Sequence, residues 1–231
     1  MGVRKARQLS ALIEDPAVSP RGQREGASVL IAPVRADLCI DYANTRSWRG
    51  REKPVERLNG MADLLAWTAR QGDDMPRLAE QAVHWLKEHP TAADRLFDDA
   101  IGLREALYRS LAAIAQSRSV AEPDFLDLAQ AIAQAPPRNR LVRSQRGYAW
   151  TIGAFEPAAA YLLAPVLWSA GDLIPAAERY RIRRCANPEC RFLFLDESKS
   201  GTRRWCDMAT CGNRAKASRH YAKVRQGDIG A

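Results

Sequence analysis

The sequence predicts a mainly α chain of the α+β class: a helical N-terminal domain with a small β-hairpin, followed by a small C-terminal finger-like module. Three observations carry that expectation. Between about residues 61 and 135, apolar residues recur at helical spacing in runs punctuated by Pro and Gly. Around residues 141–152 the period drops to two. From Cys185 to Cys211, four of the five cysteines gather into two pairs, Cys185/Cys190 and Cys206/Cys211, each with four intervening residues.

The 231 residues suffice for a medium domain and a small one, and 46% hydrophobic content supports a buried core. Mean hydropathy is −0.37, and no apolar run approaches the eighteen or so residues of a membrane span. The start, Met1 to Arg7, is basic but has no apolar core of a signal peptide, and Ala6 stands where a myristoylation signal wants Ser or Thr. A cytoplasmic location without a membrane partner is expected.

Residues 1–27 mix Arg, Ser, Pro and Gly without periodicity and read as a flexible arm. The helical domain is expected over 28–175. Residues 28–34 suit a short extended piece that Pro33 keeps at an edge. Leu38, Asp41 and Tyr42 fall at i, i+3, i+4 of a short helix, with lone Cys39 a small core residue. Residues 46–60 read as a polar loop. Asn59 is placed to cap a helix over 61–70, whose Leu64, Leu65 and Thr68 share a side. Pro76 opens the next helix, to about His89. Thr91 with Asp94 makes a capping pair for the longest helix, through Leu96, Ala100, Leu103, Leu107 and Leu111 to about Gln116. A further helix spans 123–135. Two strands joined through Arg146 and Gly147 form the hairpin. An apolar helix follows over 158–170, ended by Gly171 and Pro175, and Tyr180 and Ile182 suit a strand.

The module is expected over 181–226. Zinc takes four ligands in a tetrahedron, and each Cys pair can clamp one edge of it from a tight turn. Pro188 lies inside the first pair and Gly212 follows the second, which gives both the residues of turns. Disulfides need an oxidising compartment, to which nothing here addresses the chain. Four thiolates leave no open position for water, so one structural Zn2+ on Cys185, Cys190, Cys206 and Cys211 is expected. Residues 191–195 read as a strand, 196–203 as a polar loop, and the second pair leads into a helix. That layout is treble-clef-like or zinc-ribbon-like, and the spacing does not choose between them.

Charge points to the partner. Of the formal +8, residues 181–231 hold twelve Lys and Arg against five Asp and Glu, a net of +7. Segregated charge of this kind suits a polyanion. Residues 213 to about 225 form a basic helix with no acid, and its candidate nucleic-acid contacts are Asn213, Arg214, Lys216, Arg219, His220, Lys223 and Arg225, with Arg203 and Arg204 beside the metal site. An RNA- or ribosome-associated module is the alternative, with Phe192, Phe194 and Trp205 stacking bases. An enzyme is not expected: the helical stretch offers His84 and His89, no nucleotide loop and no legible nucleophile-base pair.

Cys206 to Cys211 with Gly212-Asn213-Arg214, preceded by Cys185 and Cys190, resembles the bacterial CGNR zinc finger. Leu38 to Thr45 and Leu103 to Tyr108 resemble two signatures of the ABATE domain that usually precedes that finger, in a family described as stress-induced transcription regulators. The resemblance covers about residues 35–225. It implies that the four Cys bind zinc, that the finger binds DNA, and that the upstream domain senses a ligand; pairing of subunits into a homodimer through that domain and a bacterial, nucleoid-associated location are expected alongside. Asp41, Asn44, Thr45 and Arg104 are the candidate ligand-binding residues.

Overall fold

The longest apolar-periodic run forms the longest helix. The computed structural model describes residues 28–144, 147–218 and 221. The N-terminal arm, Arg146 of the hairpin turn, and Arg219, His220, Lys223 and Arg225 of the basic run therefore lie outside the described residues. Helix α4 (Ala92–Ile114) buries Leu96, Ala100, Leu107 and Leu111 along one stripe. Four shorter helices surround it: α1 (Leu38–Ala43), α2 (Met61–Ala69), α3 (Met75–Glu88) and α5 (Glu122–Gln134). Of these, α1, α2 and α5 pack on α4, and α3 packs on α2. Each Leu sealed in this way contributes on the order of 2 kcal/mol of transfer free energy.

The apolar stretch near residue 160 divides in two. Pro165 has no N–H to continue the ladder and sits in the first turn of a new helix. Helix α6 (Ala159–Leu162) therefore stops at Leu163, and α7 (Ala164–Leu173) begins there. Gly171, expected as a stop, lies inside α7. Every residue from Ala164 to Ala170 is buried, so packing on all sides outweighs the intrinsic cost of a helical glycine, about 1 kcal/mol. α7 lies against α1, where the Cys39 N–H donates to Ser169 Oγ at 3.0 Å and Ser169 Oγ donates to the Ala36 carbonyl at 3.0 Å. Cys39 is a core residue here, its thiol pushed up to about 12 by burial.

The hairpin forms as β4 (Leu141–Ser144) and β5 (Gly147–Ile152). It also gains a third strand. β1 (Val29–Ile31) pairs antiparallel with β5, opposing Val29 to Ile152 and Ile31 to Trp150, in the order β1-β5-β4. The region read as a polar loop contains a second, two-residue ribbon of β2 (Arg46–Ser47) and β3 (Val55–Glu56).

Four local expectations are corrected. Asp41 does not share the inward face of α1: Leu38, Cys39, Ile40, Tyr42 and Ala43 are buried, while Asp41 is exposed and pairs with Arg35. Asn59 does not cap α2. The Asp63 carboxylate instead reaches back and accepts from the Asn59 backbone N–H at 2.9 Å and its Nδ2 at 3.1 Å. Thr91 precedes α4 without a side-chain capping bond, because its own backbone is already helical. Finally, Tyr180 closes a short helix, α8 (Ala177–Tyr180), and is not in a strand. The chain turns through left-handed Arg181 into β6 (Ile182–Arg184).

Candidate metal centre and its cationic surroundings

β6 pairs antiparallel with β7 (Leu193–Leu195), and the connection between them carries the first cysteine pair. Asn187 shapes that connection. Its side-chain oxygen accepts the Glu189 N–H at 3.0 Å, and its carbonyl accepts the Cys190 and Arg191 N–H groups. Arg191 then takes a left-handed backbone, φ 55°, and hands the chain to β7. The second pair sits at a helix start. Asp207 is the cap: its carboxylate accepts from the Ala209 and Thr210 N–H groups and from Thr210 Oγ1. A π-helical turn, Met208–Gly212, contains Cys211, and residues 213–218 continue as helix. One pair on a hairpin and one on a helix start is the treble-clef-like of the two expected layouts.

The four sulfurs converge within 4.8 Å of one another. Cys190 and Cys206 are 3.7 Å apart, and Cys206 and Cys211 are 3.8 Å apart. Four sulfurs about 2.3 Å from one tetrahedral zinc stand about 3.8 Å from each other, so the cluster fits that ion. A disulfide requires about 2.0 Å, and all four thiols are free. Backbone N–H groups of Cys206 and Asn187 point at the Cys185 sulfur, that of Phe192 at Cys190, and Asn187 Nδ2 lies 3.6 Å from Cys211. Such donors favour the thiolate and orient it. Hydrogen bonds from Cys190 and Cys206 hold the Cys185 thiol down to about 2, whereas donating to Cys185 pushes Cys190 up to about 12 and Cys206 upward as well. Four thiolates this close repel one another, and a dication removes that conflict.

Around the cluster, Arg204, Asn213, Arg214 and Lys216 are exposed. Arg203 is differently employed. Its guanidinium donates to the Trp205 carbonyl at 2.9 Å and to the Cys206 carbonyl, and lies over the Phe194 ring at 4.6 Å. It braces the second pair. Phe194 is buried, and Phe192 and Trp205 pack on the cysteines. Phe194 is thus structural, while Phe192 and Trp205 support the cysteines and stay half-buried.

Residues 36–176 match the family model described as "Putative stress-induced transcription regulator", ABATE. The chain belongs to the ABATE family. Residues 181–224 match the CGNR zinc finger model, so an ABATE body followed by a CGNR finger is the architecture. Comparison with curated proteins gives no match.

Of the four polar residues singled out in the ABATE body, the structure brings two together: Arg104 Nη1 donates to Thr45 Oγ1 at 3.3 Å. Asp41 is at the surface. Asn44 is buried against the finger: its Nδ2 donates to the Leu193 carbonyl at 2.9 Å, and its Oδ1 accepts the Leu193 N–H at 3.1 Å. Thr45 Oγ1 donates to the Tyr42 carbonyl at 2.8 Å. Arg104, 1% exposed, grips both oxygens of Glu56 at 2.6 and 2.7 Å and reaches Glu105 at 3.0 Å. Glu105 in turn holds Arg49, whose guanidinium lies 3.8 Å over the Tyr108 ring, and Tyr108 donates to the Arg191 carbonyl at 2.8 Å. Arg46 also lies 3.9 Å from Glu105, so three arginines face two glutamates in a network running from α4 to the first cysteine turn. Burial raises the Glu56 and Glu105 carboxyls, but their arginine hydrogen bonds and charges outweigh it and leave both below the ordinary range. Clefts of 760 and 460 Å³ lie elsewhere, beside Trp85, and neither is lined by these four residues.

Sequence reasoning missed Asn187, Asp207, Trp48, Gly50 and Tyr108. Asn187 before Pro188 and Asp207 three residues before Thr210 carried turn and cap signals. The other three touch the finger across long sequence separations and carried no local signal.

Proposed function

We propose that the chain is a zinc-dependent, DNA-binding transcriptional regulator in which one structural zinc on Cys185, Cys190, Cys206 and Cys211 holds a cationic helix toward duplex DNA. The observation that carries this reading is a helix that starts on a metal-ligand cysteine and exposes Arg214 and Lys216, with no acid anywhere in residues 213–225. Phosphate contacts supply most non-specific affinity and position the reader. Asn213 is partly committed, its Nδ2 donating to the Ala209 carbonyl at 3.2 Å, which leaves Arg204, Arg214 and Lys216 as the described contacts. The ABATE body acts as the regulatory partner and carries no catalytic role. A small-molecule signal would enter the 760 Å³ cleft bordered by Trp85, Leu96 and Leu103, on the helix whose later residues reach the finger.

Fluorescence anisotropy with duplex DNA over a salt series tests the proposal. Binding should weaken steeply as salt rises and disappear when a chelator strips the zinc, returning on its readdition. Salt-insensitive binding, or full binding after zinc removal, would refute it. Preference for structured RNA over duplex DNA in competition would redirect the reading to the RNA alternative, in which the half-buried Phe192 and Trp205 rings would be the ones to stack on bases.

A further inference from the structure

We infer that the nucleic-acid interface does not end with the finger: the ABATE loop between β2 and β3 supplies a second cationic edge to it, through Arg51 and Lys53. This rests on the finger binding DNA.

The loop is built onto the first cysteine turn. The Gly50 N–H donates to the Glu189 carbonyl at 2.9 Å. A Cβ on Gly50 would stand 1.8 Å from the Pro188 carbonyl oxygen, so only glycine permits the approach. Two residues earlier, Trp48 adopts φ 54°, a left-handed backbone that a bulky residue rarely takes. Such strain persists only where surrounding structure holds it. Trp48 packs on the cysteine cluster and also gathers charge. The Arg51 guanidinium lies 3.8 Å from its ring centroid and that of Arg214 lies 4.9 Å from it. A body arginine and a finger arginine are therefore held no more than about 9 Å apart, close to the Debye length of about 8 Å at physiological salt.

Neither of these charges is neutralised in full. Arg51 spends its Nε on Glu189 at 3.0 Å, and its Nη groups make no hydrogen bond among the described residues. Arg214 forms no ion pair among the described residues. Lys53, two positions beyond Arg51, is exposed and likewise without an ion pair among them. The loop, residues 46–57, carries five cations (Arg46, Arg49, Arg51, Lys53, Arg57) against two acids (Glu52, Glu56); Arg46 and Arg49 turn inward to Glu105, which leaves Arg51, Lys53 and Arg57 on the outer side. Glu189 already occupies the Nε of Arg51, so it is the Nη groups of Arg51 and the guanidinium of Arg214 that remain to take up a further anion. A phosphate backbone tracking the helix at Arg214 and Lys216 would meet Arg51 next. Trp48 is a positioning residue in this arrangement, its ring already occupied by guanidinium groups.

The test uses the full-length zinc-loaded chain and a random-sequence duplex, with affinity measured across a salt series. Each phosphate contact adds about 0.9 to the steepness of log K against log salt, and a factor of about eight in affinity at about 0.1 M relative to 1 M salt. The double variant Arg51→Gln, Lys53→Gln should lower the steepness by about 1.8 with zinc content unchanged. Lys53→Gln alone, which touches no structural partner, should lower it by about 0.9 and keeps the test decisive if the double variant misfolds. If both variants keep the wild-type slope while Arg214→Gln, Lys216→Gln loses it, the finger binds alone and the inference is overturned. If the wild-type chain shows no salt-dependent binding, the DNA reading itself falls.

Discussion

Asn44 is the residue whose replacement most directly tests how finger and body are joined. Its side chain makes both hydrogen bonds to the main chain of Leu193, at 2.9 and 3.1 Å, in a fully buried setting. Asn44→Ala leaves a buried N–H and a buried carbonyl without partners. Each such orphan costs about 1–3 kcal/mol, so the change should destabilise by roughly 2–5 kcal/mol. For a cooperative chain of this size that is a fall in Tm of about 6–15 °C. Asn44→Asp should be worse, because it sets a carboxylate against the Leu193 carbonyl in place of a donor. Differential scanning fluorimetry reads the melting shift, and hydrogen exchange at the Leu193 amide reads the local event. The expected result is a lower Tm with fast exchange at Leu193 and its β6 neighbours. An unchanged Tm with a protected Leu193 amide would refute the assignment of Asn44 as the joint, and would return it to consideration as a ligand contact.

Two further outcomes follow from the same region. Glu56 and Glu105 have folded-state pKa values below the ordinary glutamate value of about 4.3, so the stability they contribute is present above that value and lost as pH falls through the folded-state values. Glu56→Gln should flatten the acid side of the stability–pH curve and, by weakening the pairing of buried Arg104, cost about 1–3 kcal/mol at neutral pH in urea unfolding; an acid limb as steep as wild type would show that the pair does not govern it. Gly50→Ala forces a methyl group into the Pro188 carbonyl, a clash that only movement of main chain relieves. It should destabilise by about 1–3 kcal/mol and speed zinc transfer to a colorimetric chelator, and wild-type transfer kinetics would contradict the clamp.

What the sequence made legible follows from the range of the forces involved. Local spacing exposed the Cys185/Cys190 and Cys206/Cys211 cluster, because metal geometry is set within a few residues of each turn. Period and punctuation exposed α3, α4 and α5, whose apolar stripes and prolines act locally. The break at Pro165 was written in the sequence and was outvoted by the strong apolar run around it. The association of β1 with β5 joins residues more than one hundred positions apart, and Asn44 meets Leu193 across 149. Nothing in a local window distinguishes an Asn that binds a ligand from one that satisfies a distant strand. Asp41 misled for a related reason: three residues at helical spacing suggested an inward face, but nearly all of α1 is buried and Asp41 is its one exposed position.

The Gly50–Glu189 contact, the Asn44–Leu193 pair and the Tyr108–Arg191 bond have a practical consequence for anyone dissecting this chain. A fragment beginning at residue 181 would keep its sulfurs but present Leu193, now fully sealed, to water along with its bare amide and carbonyl. Such a peptide would be sticky, loosely shaped and short of Trp48 beneath Arg214. Affinities or target preferences gathered from it would describe a damaged surface, and the natural cutting point suggested by the sequence is the one place where the molecule should be left whole.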